Sequence, residues 1–131
     1  MSKPIIQICF SLKNGLTIEE VARKLKIAKE RLDAKYDKNS YIVSSCHLSK
    51  KLCEDKGFSS DVPDTFAAVF GDDYICELES EPDFDTAMSN IDSHRASLAE
   101  KADDLILLSN DTITNVALEL ELFSKHHITV I

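Results

Sequence analysis

Two carboxylates in the last quarter of the chain could act on one bound molecule. Asp111 follows the apolar segment from Asp104 to Ser109, and Glu119 lies about two turns into the helix predicted after it. Ligands of open α/β sheets bind outside the carboxyl ends of the strands, so both side chains could line one crevice. Such a pair could supply a nucleophile and a proton donor. Asp111, beside Asn110, also suits the alternative role of a helix cap.

The helix that carries Glu119 is predicted from Ile113 to about Lys125. The side chains that should face the sheet are Ile113, Val116, Ala117, Leu120 and Ser124. Glu119 and Glu121 flank this stripe, and solvation is the simpler interpretation for Glu121. Leu118 and Leu122 point away from it, which predicts a homo-oligomer that covers these two leucines. Alternatively, both leucines lie beneath the long middle segment of the chain.

Strands and helices alternate in the first half of the sequence. Pro4 to Leu12 is an apolar run typical of a buried strand. Thr17 and Glu20 form a capping-box pattern, which predicts a helix from there to about Lys35. A second strand is predicted from Tyr41 to Cys46, followed by a short helix from Leu48 to Lys56.

The second half resumes this alternation after an irregular middle. Residues 57–71 contain Pro63 and predict a loop, and Tyr74 to Leu78 predicts a third strand. One face of the following helix is formed by Ala87, Ile91, Arg95, Leu98 and Ala102, with Arg95 as its polar exception. Asp104 to Ser109 reads as a buried parallel strand, and His127 to Ile131 as the last strand. Asp103 and Asp104 open a strand at its amino end, and we interpret them as solvated.

This order of elements predicts the fold class. Strands that alternate with helices form βαβ crossovers, which are parallel and right-handed. We therefore expect a single α/β domain over residues 1–131, with a three-layer Rossmann-like (flavodoxin-like) architecture and a mostly parallel sheet of four or five strands.

Composition restricts the partners. The 131 residues carry a formal net charge of -8, which argues against nucleic acid or an anionic membrane surface as the main partner. A small anionic ligand is compatible with this charge, because backbone amides at a helix start can bind it locally. No apolar run approaches the roughly 18 residues that span a bilayer, and the first residues lack a signal-peptide cleavage site. We expect a cytoplasmic protein that does not bind membranes.

The cysteines predict neither a disulfide framework nor a metal site. Cys9, Cys46, Cys53 and Cys76 are far apart and lie mostly in apolar runs, so we expect buried free thiols. Cys46, His47 and Cys53 would give only three ligands, at a spacing that matches no common zinc module. We therefore expect no metal and no cofactor.

Two stretches of the chain resemble a known enzyme superfamily. The segment ADDLILLSNDTITNVALELELF, followed by an apolar strand, resembles the nucleoside 2-deoxyribosyltransferase superfamily, which includes deoxynucleoside 5'-monophosphate N-glycosidases and small phage relatives. Its members have Ala-Asp ahead of a buried strand, an acidic loop, and a helix that opens with Gly-Thr-Ala-x-Glu-(Leu/Ile)-Gly. IIQICFSL, KIAKERLDA and YIVSSC resemble their N-terminal half. The resemblance covers most of the chain except residues 48–84.

The resemblance implies an enzyme that acts on the N-glycosidic bond of a deoxynucleoside or its 5'-monophosphate. Glu119 matches the family's nucleophile, which attacks or stabilises an oxocarbenium-like anomeric carbon. Asp111 lies in the loop where the family keeps an acid that handles the base, so it would protonate the departing base. Asp92 precedes the Ala-Asp strand, where the family has an aspartate near the sugar; a surface helix position is the alternative. Water as acceptor gives hydrolysis, and a second base gives transfer.

The resemblance also implies the ligand-binding residues. Ser11, at the end of the first strand, and Asn14 and Gly15, in the loop after it, could hold a 5'-phosphate. Asn115 stands where the family has a glycine before the helix, so we include it among the residues that contact the ligand.

Two other function classes stay open. Asn115 and Val116 replace the family's glycine and threonine, Glu121 replaces the later glycine, and Cys9-Phe10 stands where transferases place a tyrosine. These replacements favour a non-catalytic nucleotide-binding protein of the same fold, such as a sensor or sponge. A protein-interaction module built on Leu118 and Leu122 is the third hypothesis.

Overall fold

The computed structural model describes residues 3–10, 16–80, 83–109 and 128–131. The elements within these ranges are β1 (Ile5–Phe10), α1 (Ile18–Tyr36), β2 (Ile42–Leu48), α2 (Lys50–Lys56), α3 (Val62–Phe70), a 3-10 turn (Gly71–Asp73), β3 (Tyr74–Glu79), α4 (Phe84–Lys101), β4 (Asp104–Leu108) and β5 (Ile128–Val130). No helix in these ranges is long and apolar enough to cross a lipid bilayer.

The strands form one five-stranded sheet in the order β3-β2-β1-β4-β5. All four pairings between neighbouring strands are parallel, with Ile5 beside Ile42 and Ile6 beside Asp104 in the register of β1. The predicted α/β class and parallel sheet are confirmed. Of the two common doubly wound orders, this is 3-2-1-4-5, as in dinucleotide-binding folds, rather than 2-1-3-4-5. The chain reverses its direction of travel across the sheet between β1 and β4.

Helices α1 and α3 cover one face of the sheet. Thr17 accepts a hydrogen bond from the Glu20 amide, which is the predicted cap of α1. The side chains that this helix buries recur every three or four residues, as a stripe against the sheet requires. They pack with the alternate residues of β1 and β4 in a core formed by Ile6, Ile8, Phe10, Val21, Leu25, Ala28, Leu32, Tyr41, Val43, Val62, Phe66, Phe70, Ile106 and Leu108.

Helices α2 and α4 cover the opposite face. Leu52 and Cys53 of α2 and Ala87 and Ile91 of α4 pack against Cys46 and Leu48 of β2. Farther along α4, Ala99 packs against Cys9, Leu105 and Leu107. The predicted amphipathic helix between the third and fourth strands is therefore present. It buries Ala87, Ile91 and Arg95 of the predicted face, whereas Leu98 and Ala102 are only partly buried and Ala99 is buried instead.

The middle of the chain is more regular than predicted. Residues 62–70 form α3, which buries Val62, Phe66 and Phe70 against α1 and the sheet. Pro63 does not break this helix, because it lies in the first turn, where a missing amide proton costs no helical hydrogen bond. The spacing of four residues between these apolar side chains is helical, and the proline obscured it.

Strand β3 forms one edge of the sheet. It pairs with β2, and its side chains Ile75 and Leu78 are 51% and 58% exposed. Cys76 on the same strand is exposed, whereas Cys9, Cys46 and Cys53 are buried free thiols as expected. The apolar pattern predicted this strand, but it could not show that only one side of the strand pairs with another strand of the described sheet.

Candidate functional site

Most of the residues predicted to form the site lie outside the described residues. This holds for Ser11, Asn14, Gly15, Asp111, Asn115 and Glu119, and for the two leucines Leu118 and Leu122. Their roles stay predictions. Asp92 is described: it lies on α4 with its side chain exposed, directly after the buried Ile91. This position agrees with the alternative interpretation of Asp92 as a surface helix residue.

The topology nevertheless relates these segments to one edge of the sheet. Residues 11–15 follow the end of β1 at Phe10, and residues 110–127 follow the end of β4 near Leu108. These strands are direct neighbours, with Phe10 beside Leu108, and the strand order reverses between them. In open α/β sheets, this switch point at the carboxyl ends is where ligands bind. We define the carboxyl edge as the ends of β1, β2, β4 and β5.

A buried lysine holds two strand ends of the carboxyl edge. The ammonium group of Lys24 on α1 donates to the backbone carbonyl of Ser109 and, at 3.0 Å, to that of Ile131. Burial is the main cause that lowers the pKa of Lys24. These bonds tie the segment after β4 to the end of β5, and these two ends flank residues 110–127. Lys24 therefore links Ser109, directly after β4, to Ile131, directly after β5.

A buried arginine lies near the ends of β1 and β2. Arg95 of α4 is only 5% exposed. Its Nη2 donates to the carbonyl of Cys46 at 3.5 Å, and its guanidinium carbon lies 5.6 Å from the centre of the Phe10 ring. Its Nε has no hydrogen-bond partner in the described part of the chain. Since buried polar groups are almost always paired, this arginine requires an explanation.

A neutral histidine lies beside the same phenylalanine. The rings of His47 and Phe10 are 5.4 Å apart, and Nε2 of His47 lies 2.6 Å from the Ser45 hydroxyl and 3.1 Å from that of Tyr74. Burial first, and the nearby charge of Arg95 second, lower the pKa of His47 to about 3. Its Nδ1 is buried and makes no hydrogen bond within the described ranges.

The thiols near Arg95 do not balance its charge. Burial raises the pKa of Cys46 to about 11 and also raises that of Cys9, although the arginine acts in the opposite direction. Both groups are therefore neutral thiols at pH 7. Cys46 packs with Cys53 on the α2 and α4 face, whereas His47 packs with Phe10 on the other side of the sheet. No cluster of three or more His, Cys, Asp or Glu side chains suited to a metal ion occurs among the described residues.

The opposite edge of the sheet, at the amino ends of β1 and β4, is called the amino edge. Here Asp104 accepts hydrogen bonds from the ammonium of Lys35 at 2.7 Å and from the hydroxyl of Tyr36. Asp103 accepts one from the amide of Ile5 at 2.8 Å. The expectation that both aspartates are solvated was wrong for Asp104, which is buried, and Asp103 also has a structural partner.

Sequence reasoning noticed two of these site residues without giving them a role. Arg95 was the polar exception on the apolar face of α4, and His47 was considered only as a metal ligand. Lys24 gave a similar signal, because it falls three residues after Val21 and four before Ala28, on the buried stripe of α1. A charged residue within an apolar helical stripe is thus the signal that could have identified both cations.

Comparison with known proteins supplies no family for this chain. No family model matches it, and neither curated proteins nor solved structures gave a match.

Proposed function

We propose that this protein binds a deoxynucleoside or its 5'-monophosphate at the carboxyl edge and cleaves the N-glycosidic bond. The observation that carries the proposal is the reversal of strand order between β1 and β4, because the segments after these strands contain the predicted site residues. The chemistry rests on the resemblance of the C-terminal segment to nucleoside deoxyribosyltransferases. We place the protein in the cytoplasm.

The proposed reaction uses two carboxyl groups. The carboxylate of Glu119 bonds to the anomeric carbon while the bond from that carbon to the base nitrogen breaks. Asp111 gives its proton to the departing base, and Asp92 orients the sugar or Glu119. Water then attacks the anomeric carbon, returns a proton to Asp111, and releases the sugar and Glu119. A second base in place of water gives transfer.

Base release tests this proposal directly. The purified protein is incubated with each deoxynucleoside and each 5'-monophosphate, and free base is measured by chromatography. We expect release by the wild type and its loss in Glu119→Ala, because the nucleophile is missing. The matched control is Glu121→Ala, two positions away on the same predicted helix, which should keep the activity. Equal release by both variants would contradict the role of Glu119.

Binding without turnover is the second candidate function. Asn115, Val116 and Glu121 replace the small or hydroxyl-bearing residues of the family's helix start, and this favours a nucleotide sensor or sponge. Calorimetric binding of a nucleotide without any release of base would support this candidate.

The homo-oligomer predicted through Leu118 and Leu122 is part of the proposal. Sedimentation should show an oligomer at micromolar concentration, and Leu122→Asp should convert it to a folded monomer. A wild-type monomer at that concentration would remove this interface and the interaction-module hypothesis built on it.

A further inference from the structure

Arg95 is a buried cation without a counter-ion in the described part of the chain. An arginine side chain keeps its positive charge in proteins, and burying such a charge is costly unless it is paired. Its one described hydrogen bond, to the Cys46 carbonyl, is at the long limit of 3.5 Å. The contact with the Phe10 ring stabilises the cation only weakly in comparison with a carboxylate or a phosphate.

None of the surrounding groups forms an ion pair with Arg95 within the described ranges. Cys9 and Cys46 are neutral thiols, because burial raises the pKa of each. The carboxylates of Glu77 and Glu79 are on β3, the strand beyond β2, and face His94 at 3.7 and 3.8 Å. The charges of both carboxylates reach Cys46, whose carbonyl Arg95 contacts, but no ion pair joins either carboxylate to the guanidinium within the described ranges.

We propose that Arg95 binds the phosphate group of a small phosphorylated ligand that enters over the carboxyl ends of β1 and β2. The planar guanidinium presents several N–H donors in a fork that matches two phosphate oxygens. A chain with a net charge of -8 repels phosphate in general, so a sheltered cation is needed for selective binding. If the proposed function is right, the ligand is a deoxynucleoside 5'-monophosphate.

The position of Arg95 agrees with this role. The guanidinium contacts Phe10, the last residue of β1, at the carboxyl edge where ligands of open α/β sheets bind. His47, beside the same ring, has a buried Nδ1 without a partner in the described chain. When the Tyr74 hydroxyl donates to Ser45 and the Ser45 hydroxyl donates to Nε2 of His47, Nδ1 carries the ring proton and is a second donor without a described partner at this end of the sheet.

Calorimetric titration tests the proposal. Wild type, Arg95→Met and Arg95→Lys are titrated with inorganic phosphate, with the four deoxynucleoside 5'-monophosphates and with the four deoxynucleosides. We expect a monophosphate to bind, and Arg95→Met to raise its Kd roughly 30-fold or more, because a charged partner of the phosphate is lost. The Kd of Arg95→Lys for the monophosphate should lie between those of the wild type and Arg95→Met. A deoxynucleoside that binds should have the same Kd for all three proteins. Arg31→Met, on the exposed face of α1, is the matched control and should bind like the wild type.

The assignment would be overturned by wild type that binds neither phosphate nor any monophosphate, or by Arg95→Met that binds them as well as wild type. If Arg95→Met does not fold by circular dichroism, the comparison of Arg95→Lys with wild type decides in the same way. Base release from a monophosphate by Arg95→Met, with the same monophosphate Kd as the wild type, leaves the proposed function in place and removes the phosphate site. Phosphate binding that depends on Arg95, without any release of base, leaves the phosphate site in place and removes the proposed cleavage activity.

Discussion

The amino edge and the carboxyl edge of the sheet bury charges in different ways. At the amino edge, the buried Asp104 is bonded to Lys35 and Tyr36. At the carboxyl edge, the buried charges are the cations Lys24 and Arg95, and neither forms an ion pair within the described ranges. Paired charges at one edge indicate a structural role, because their partners belong to the fold. At the carboxyl edge, Lys24 donates to two backbone carbonyls of the fold, whereas Arg95 has an Nε without a described partner, which supports the proposal that an anion from outside completes the site.

The largest effect that this comparison predicts is a pH dependence from His47. Its pKa is lowered to about 3 in the folded protein, mainly by burial, against an ordinary value of 6.5. Below pH 6.5 the unfolded chain takes up a proton that the folded chain does not, so the stability contributed at neutral pH is lost as pH falls toward 3. The slope should be on the order of 1 kcal/mol for each pH unit.

Urea unfolding of wild type and His47→Gln between pH 7 and 4 measures this slope. The variant is less stable at pH 7 but should lack this part of the pH dependence. His94→Gln, at an exposed position on α4, is the matched control and should retain the slope of the wild type. If the free energy of unfolding changes with pH in the same way for wild type and His47→Gln, the assignment of His47 as a buried neutral histidine is contradicted.

A smaller loss is expected at the amino edge. Asp104→Asn removes the charge that accepts hydrogen bonds from Lys35 and Tyr36, and we expect the free energy of unfolding to fall by about 2 kcal/mol. Denaturant melts measure this, with Asp92→Asn on the exposed side of α4 as the control that should change it by less than about 0.5 kcal/mol. A loss as small as that of the control would mean that the pairing at the amino edge does not stabilise the fold.

The smallest effect has the opposite sign. Arg95→Met replaces a buried, unpaired cation with an apolar side chain of similar length, so we expect the free protein to gain about 1 kcal/mol of stability. The same melts check this, and Arg31→Met should leave the stability nearly unchanged. A clear destabilisation by Arg95→Met in the absence of ligand would show that Arg95 has a structural role like Asp104, and the contrast between the two edges would fail.

The sequence predicted a strand or helix well where its apolar residues recur regularly within one continuous segment of the chain. The strand from Tyr74 and the helix from Thr17 followed from such patterns. The helix α3 was missed because Pro63 resembled a chain breaker, although it lies in the first turn. The partners of Asp104 could not be predicted, because Lys35 and Tyr36 are 69 and 68 residues away in the sequence.

The site was harder to predict than the fold, for a physical reason. A helical pattern shows that Arg95 faces the core, but it cannot show whether a counter-ion from another element lies beside it. The same limit applied to His47, whose bonds to Ser45 and Tyr74 join two strands. The carboxylate roles of Glu119 and Asp111 came from the resemblance, and they stay predictions.

Backbone amide chemical shifts, followed during titration with a deoxynucleoside 5'-monophosphate, test the functional difference between the two edges most directly. We predict that the amides of Phe10, His47 and Leu108 shift with increasing ligand, whereas those of Ile5 and Ile42 stay in place. Shifts centred on the amino edge, or none at any monophosphate concentration, would contradict a ligand site at the carboxyl edge.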